Sequence, residues 1–258
     1  MSKYSMEEAF VIRQEEIATD IFSMLIRTKC AETAKAGQFV SLFSKNGANL
    51  LPRPISICET DKNYKAIRIV YRVVGKGTHE FSRLVSGNRI KVLGPLGNGY
   101  TLKDKTAILT AGGIGIPPMV ELAKELKHNF KCKLNIVVGY RTELFLTEEL
   151  KKYGNVFIST EDGSVGTEGN VLDCIRENNI EAEIIYACGP MPMLRAVKEY
   201  AVEKNIEAQI SLEERMACGI GACLGCVCKT KNKDEHTYVN NTRICTDGPV
   251  FDAREVEI

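Results

Sequence analysis

Four cysteines within eleven residues, Cys218, Cys223, Cys226 and Cys228, with Cys245 shortly after, constrain this 258-residue chain more than any other feature. The stretch Cys218-Gly-Ile-Gly-Ala-Cys223-Leu-Gly-Cys226, followed after eighteen intervening residues by Cys245, reads C-x4-C-x2-C…C. That is a spacing with which four thiolates hold a [2Fe–2S] cluster. One loop must wrap the irons while a distant cysteine closes the site. Gly219, Gly221 and Gly225 suit the wrap, because they let the backbone bend tightly and bring N–H groups near the inorganic sulfurs. A structural zinc site would show paired C-x2–4-C knuckles without a glycine loop. The spacing therefore favours the cluster. Cys228 is left over and reads as a small packing residue.

The remaining five cysteines, Cys30, Cys58, Cys132, Cys174 and Cys188, bring the total to ten. A secreted disulfide scaffold would be shorter, and the start MSKYSMEEAF lacks the basic-then-apolar pattern of a signal peptide. No apolar run reaches the ~18 residues of a membrane span. These features lead to the expectation of a cytoplasmic chain with reduced thiols. With 34 Lys+Arg against 33 Asp+Glu the net charge is +1, so neither nucleic acid nor a membrane surface is expected as a partner. A hydrophobic fraction of 44% is enough for sizeable cores. At ~150 residues per domain the length allows about 1.7 domains.

The chain changes character near its middle. Val11–Gln14, Phe22–Arg27, Gln38–Phe43, Ile55–Cys58, Ile67–Val74 and Arg89–Leu93 are short β-branched or alternating runs between turn signals. They predict a small antiparallel barrel, interrupted by one helix over Thr78–Val85. After the turn-rich Gly94-Pro95-Leu96-Gly97-Asn98-Gly99 the pattern becomes strand–helix alternation. Strands are expected at Thr106–Ala111, Leu134–Gly139, Val156–Thr160, Glu183–Ala187 and Gln209–Leu212. Helices are expected at Pro118–His128, Thr147–Tyr153, Val171–Asn178 and Pro192–Lys204. Apolar strands alternating with helices predict a doubly wound parallel sheet. The expected division is thus a β-barrel over 1–99, an α/β domain over 100–212 and a small cysteine-rich module over 213–258.

Gly112-Gly113-Ile114-Gly115-Ile116-Pro117-Pro118 directly follows the first parallel strand. A glycine loop between strand and helix lets a dinucleotide's pyrophosphate approach backbone N–H groups. The pattern differs from G-x-G-x-x-G, and a plain tight turn explains the letters nearly as well. Its place at the first βα turn favours Gly112, Gly113 and Gly115 as nucleotide contacts. Cys188-Gly189-Pro190 ends another parallel strand, where ligands of open sheets bind, or is an ordinary turn with a buried thiol. In the barrel, Arg53-Pro54-Ile55-Ser56 offers a guanidinium and a hydroxyl, and Gly75-Lys76-Gly77-Thr78 opens the single helix. Each is weak alone; together they could hold an anionic cofactor. The three histidines, His79, His128 and His236, form no ligand spacing and are expected at the surface.

Arg53 to Ser56, Gly77-Thr78, the Gly112 loop and Cys188-Gly189-Pro190, in that order, resemble the ferredoxin–NADP reductase superfamily. With the four-cysteine tail, the whole chain resembles the electron-transfer subunits of B-type, NAD-dependent dihydroorotate dehydrogenases. The resemblance implies FAD on the barrel, contacted at Arg53, Pro54, Ile55, Ser56, Val70, Tyr71 and Arg72, with Gly77 and Thr78 at its pyrophosphate. It implies NAD at the α/β domain and a cluster on Cys218, Cys223, Cys226 and Cys245. It also implies a separate FMN-containing TIM-barrel catalytic subunit, in a heterotetramer of two of each, working in pyrimidine biosynthesis. Many superfamily members carry an aromatic where Ile55 stands; Tyr71 is the candidate to stack on the flavin instead. The segment Tyr140-Arg141-Thr142-Glu143 carries both charges and leaves NAD against NADP open.

Two alternatives remain. A flavin and iron–sulfur subunit of a sulfide dehydrogenase or a bifurcating NADH–ferredoxin transhydrogenase would keep the fold and change the partner. A zinc- or redox-sensing binding protein would keep only the cysteines.

Overall fold

The computed structural model describes residues 4–231, 233 and 238–258, so His236 lies outside the described residues. The N-terminal part is a closed antiparallel barrel of six strands. These are β1 (Ser5–Ala18), β2 (Ile21–Arg27), β3 (Phe39–Phe43), β4 (Arg53–Asp61), β5 (Ala66–Arg72) and β6 (Arg89–Leu96), in spatial order β1-β2-β5-β4-β3-β6. Closure leaves no free edge. Inward side chains, including Met24, Ile26, Leu42, Ile57, Ile69 and Tyr71, fill the interior. The barrel's helix, α1 (Lys76–Phe81), starts and stops earlier than expected. The Thr78 hydroxyl accepts from the N–H of Val74 and of Gly75, which pulls the first turn back to Gly75. Beyond Ser82 the backbone bonds shorten to three-residue turns.

The second part alternates β7 (Ala107–Gly112), α2 (Pro118–Asn129), β8 (Leu134–Tyr140), α3 (Thr147–Leu150), β9 (Asn155–Thr160), β10 (Thr167–Glu168), α4 (Val171–Glu177), β11 (Ile184–Cys188), α5 (Met191–Glu203) and β12 (Glu207–Ser211). Every residue of β7 is buried, as a central parallel strand covered on both faces must be. The chain builds outward from β7 through β8 and β9, then crosses back to lay β11 on the other side of β7. The β7/β11 boundary is the switch point at which such sheets bind ligands.

The tail adds β13 (Val227–Thr230), β14 (Asn241–Arg243), β15 (Val250–Asp252) and β16 (Val256–Glu257). β14, β13 and β16 form a three-stranded sheet, whereas β15 pairs antiparallel with β12 and extends the large sheet. Two- to four-residue strands carry too little alternation to be read from sequence.

Among the described residues three apolar cores result. One is the barrel interior. A second joins one face of the sheet and α2 to the outside of the barrel, with Ile21, Cys58 and Val70 meeting Ile116 and Met119. The third joins the other face to the barrel's Phe39 and Leu96 and to the tail's Cys226, Ile244 and Cys245. Among the described residues no helix is long and apolar enough to cross a membrane.

Candidate functional site

At the switch point the two candidate nucleotide motifs touch. β7 ends in Gly112, a short 3-10 turn covers Gly113–Gly115, and α2 follows. A Cβ on Gly115 would fall 2.4 Å from the Cys188 carbonyl oxygen and 2.7 Å from the Gly189 Cα, so only glycine lets the turns pack backbone on backbone. Gly189 and Gly112 meet in turn beside the Met193 side chain. Cys188 pairs with Ala111 on one side and Ser211 on the other. Burial raises its thiol, a contact with Ser211 opposes this, and the net is a pKa pushed up to about 12. The thiol is therefore neutral at physiological pH. Tyr100, in the connection from the barrel, donates to the Ala187 carbonyl at 3.0 Å and holds this strand end against the barrel. The Thr110 hydroxyl, two residues before Gly112, is buried without a hydrogen-bond partner.

On the barrel, Arg53 opens β4 and its guanidinium lies across α1's first turn. A Cβ on Gly77 would stand 2.9 Å from Arg53 Nε. The guanidinium also donates to the Leu51 carbonyl at 2.5 Å, which fixes its direction. Arg53, Pro54, Ile55 and Ser56 are half-buried and Gly77 is buried. A guanidinium held over a glycine turn fits the phosphates of a dinucleotide. On β5 the strand alternation decides the roles. Val70 enters the core shared with the nucleotide turn, and Arg72 is exposed. Tyr71 points inward. Its ring stacks with Phe22 at 6.1 Å and meets Phe81 edge-on at 6.4 Å, and its hydroxyl donates to Gln14 Oε1 at 2.9 Å. The expected stacking of Tyr71 on a flavin is therefore corrected: the ring is 1% exposed and belongs to the barrel interior.

The four tail cysteines gather as two pairs. Cys218 interacts with Cys223, and Cys245 with Cys226. The Cys218 sulfur accepts from Ile220 N–H at 3.5 Å and Ala222 N–H at 3.3 Å, Cys223 from Gly225 N–H at 3.5 Å, and Cys226 from Cys245 N–H at 3.4 Å. Burial raises Cys218, but the N–H groups of Ile220, Cys223 and Ala222 and the Cys223 thiol outweigh it and lower the thiol to about 7. Burial, then the neighbouring Cys226, raises Cys245 to about 12. Among the described residues no three His, Cys, Asp or Glu side chains converge as a single metal ion needs. Two thiol pairs ringed by N–H donors instead fit a binuclear cluster with two thiolates per iron. Gly221, at φ +82°, has no room for a Cβ beside Thr246. Gly225 needs neither special φ nor space; the left-handed residue at that bend is Leu224, at φ 57°. Cys228 lies half-buried on β13, raised to about 11 by burial and then by Cys226.

Sequence reasoning missed the residues that join the three regions. Gly219 of the cysteine loop sits on the barrel, where a Cβ would be 3.2 Å from Ser41 Oγ and 3.3 Å from Leu96. Ser41, buried and unpartnered, pairs through β3 with Pro54 of the arginine strand. Asn98 Nδ2 donates to the Thr246 and Asp247 carbonyls at 3.0 Å each, tying the barrel exit to the segment after Cys245. On the opposite side β5 packs against the Gly113–Gly115 turn. The Gly-Asn-Gly turn around Asn98 was a visible signal; Ser41 had none.

The family described as the iron–sulfur cluster binding domain of dihydroorotate dehydrogenase B matches residues 213–257, and the oxidoreductase NAD-binding domain matches residues 109–199. The dihydroorotate dehydrogenase B (NAD(+)) electron transfer subunit of Fusobacterium nucleatum subsp. nucleatum is 43% identical, over 98% of this chain and 99% of its own. The subunit of the same name from Listeria monocytogenes is 43% identical over 97% and 98%. A chain from the structure of an NADH-dependent reduced ferredoxin–NADP oxidoreductase superposes with a TM-score of 0.86 at 28% identity, covering 96% of this chain and 89% of that one.

Proposed function

The chain belongs to the dihydroorotate dehydrogenase B (NAD(+)) electron transfer subunits, and from that premise we propose how it works. Electrons from dihydroorotate, oxidised on a separate FMN-containing catalytic subunit, pass through a [2Fe–2S] cluster and FAD in this chain to NAD+, in pyrimidine biosynthesis. A bound flavin supplies the conversion between single electrons and a hydride pair. The protein's task is position and electrostatics.

Cys218, Cys223, Cys226 and Cys245 would hold the cluster, their N–H donors stabilising thiolate charge. Arg53 and the Gly77–Thr78 turn would receive the FAD pyrophosphate. Pro54, Ile55, Ser56 and the strand Val70, Tyr71, Arg72 would meet the ring, Tyr71 through its backbone. Gly112, Gly113, Gly115, Cys188, Gly189 and Pro190 would line the NAD crevice, with the neutral Cys188 thiol adding no charge beside a cationic nicotinamide. The modules 1–99, 100–212 and 213–258 would then be the FAD, NAD and cluster regions. The observation that carries this reading is contact: the cysteine loop lies on β3, and β5 lies on the glycine turn. A relay needs that succession.

A catalytic partner follows from the family; two copies of each subunit and a cytoplasmic setting are part of the proposal, the latter supported by ten cysteines free of disulfides. A sulfide dehydrogenase or bifurcating transhydrogenase subunit would share the fold, as the 28% identical chain does. Four cysteines and 43% identity over nearly the full length favour the dihydroorotate reading. Among the described residues, the gathering of the thiols in twos without a three-ligand centre disfavours a zinc sensor. The purified chain should show flavin bands over broad cluster absorption and pass electrons from NADH to artificial acceptors, yet leave dihydroorotate untouched. Dihydroorotate oxidation by the chain alone would overturn the assignment.

A further inference from the structure

The second contact between barrel and sheet is polar and buried. Glu121, in the first turn of α2, is 2% exposed, and its carboxylate is aimed out of its own domain at β4. There it accepts from the Thr60 N–H at 2.8 Å and from the Thr60 hydroxyl. Lys124, on the same helix, donates to Glu121 at 3.1 Å and to the Thr60 carbonyl at 2.7 Å, and lies 3.6 Å from Glu59. Beside this group Arg68 of β5 makes a two-pronged bond to Glu149 of α3 and approaches Glu59 at 3.5 Å. Three carboxylates and two cations thus bridge the barrel and the α/β domain.

Burying a carboxylate is costly unless every lone pair finds a donor, and an apolar contact could hold the same surfaces as firmly. What directed hydrogen bonds add is a single register. Here the register matters because of what the two elements carry. β4 begins at Arg53, and Thr60 lies four residues beyond Ser56, roughly 13 Å along the strand. α2 follows the Gly113–Gly115 turn, and Glu121 lies six residues past Gly115. The clamp joins the strand of the flavin motif to the helix that extends the nucleotide turn, away from either cofactor's contacts.

We propose that Glu121, held by Thr60 and Lys124, is a positioning residue that sets how closely the nicotinamide side of the crevice stands to the flavin strand. The inference rests on the proposed passage of hydride between FAD and NAD. Glu121→Met keeps the length but removes both acceptor oxygens, the one shared by the Thr60 amide and the Lys124 ammonium and the one facing the Thr60 hydroxyl. Thr60→Val removes only the hydroxyl.

The test uses the purified, cofactor-loaded chain. Hydrogen exchange reads the clamp itself: in Glu121→Met the Thr60 amide should exchange at least tenfold faster while amides between β2 and β5 stay protected. Rapid mixing with NADH reads the positioning. The limiting rate of flavin reduction should fall about tenfold, the half-saturating NADH concentration should move less than threefold, and the long-wavelength absorbance of reduced flavin with NAD+ should weaken. Thr60→Val should reproduce the same pattern more weakly. Iron and flavin content should not change. Faster Thr60 exchange with an unaltered limiting rate and absorbance would make the clamp merely structural and overturn the proposal, as would unchanged exchange. Failure of the unaltered chain to reduce its flavin with NADH would instead sink the relay; an unaltered Thr60 exchange in Glu121→Met would then reject the clamp on its own.

Discussion

The glycine turn at the switch point and the cysteine loop of the tail both depend on glycine, but they are held in opposite ways. The turn over Gly113–Gly115 is pressed against the backbone of Cys188 and Gly189 and backed by two buried cores. Protein packing alone dictates its form. The cysteine loop has residues 222–225 exposed and is fastened chiefly at its base, where Cys226, Ile244 and Cys245 are buried and Asn98 grips the following segment. Its tip is organised by N–H donors turned toward sulfur. One site is built by close packing before any ligand arrives, whereas the other presents ligands whose full constraint comes from what they bind.

The sharpest way to break that contrast is to remove a proposed cluster ligand at the base of the loop. Cys245→Ser should abolish cluster binding, taking iron and acid-labile sulfide from two per chain toward none, and should loosen the tail. Hydrogen exchange should rise through β13–β16 while β7 and β8 stay protected. Cys223→Ser, at the exposed tip, should lose the cluster with less effect on the apo tail. Equal loss of protection in both variants would show that base and tip are not held differently.

Gly115→Ala attacks the packed turn. A Cβ 2.4 Å from a carbonyl oxygen has no side chain that can yield, so destabilisation of about 1–3 kcal/mol is expected, together with a raised half-saturating NADH concentration. Thermal unfolding and NADH titration check it. Gly113→Ala meets no neighbour and is opposed only by its φ of +54°, so it should cost about 1–2 kcal/mol and spare Cys188's surroundings.

The buried thiols give the pH test. Burial raises both Cys58 and Cys188 to about 12, above the ordinary thiol value. A group raised in the folded state stabilises fully below its unfolded value, and that contribution is lost as pH rises towards the folded value. Stability should therefore decline from roughly pH 8.5 upward, by up to about 1.4 kcal/mol per pH unit for each thiol. Denaturant titrations of Cys58→Ala and Cys188→Ala should each show a flatter alkaline limb than the unaltered chain. An unchanged slope would mean that neither thiol stays protonated.

The smallest effect is expected at the loop tip. Leu224 is 64% exposed in the left-handed region, so Leu224→Gly should relieve about 1 kcal/mol of backbone strain, partly offset by the freer unfolded chain. If this apolar tip meets the catalytic subunit, the same variant should weaken complex formation, which calorimetry would read.

Local signals were legible where chemistry imposes spacing. The cysteine spacing, the glycine loop after β7 and the strand–helix alternation all predict what stands there, since each depends on near neighbours in the chain. The tail strands were not, because β15 exists only by pairing with β12, some forty residues earlier. Tyr71 illustrates the same limit. Its alternation along β5 placed it on one face, but which face is the interior is settled by barrel closure, and Phe22 and Phe81 decide it.

The sequence by itself determined the three kinds of region, their order, the clustering of the cysteines and the glycine turn after β7, because these rest on residue type and short spacing. Only the tertiary structure decided that the cysteine loop rests on Ser41, that β5 meets the glycine turn, and that Glu121 is buried against Thr60. Those contacts join residues about 40 to 180 positions apart. They depend on how packed surfaces meet, and short-range pattern carries no record of that.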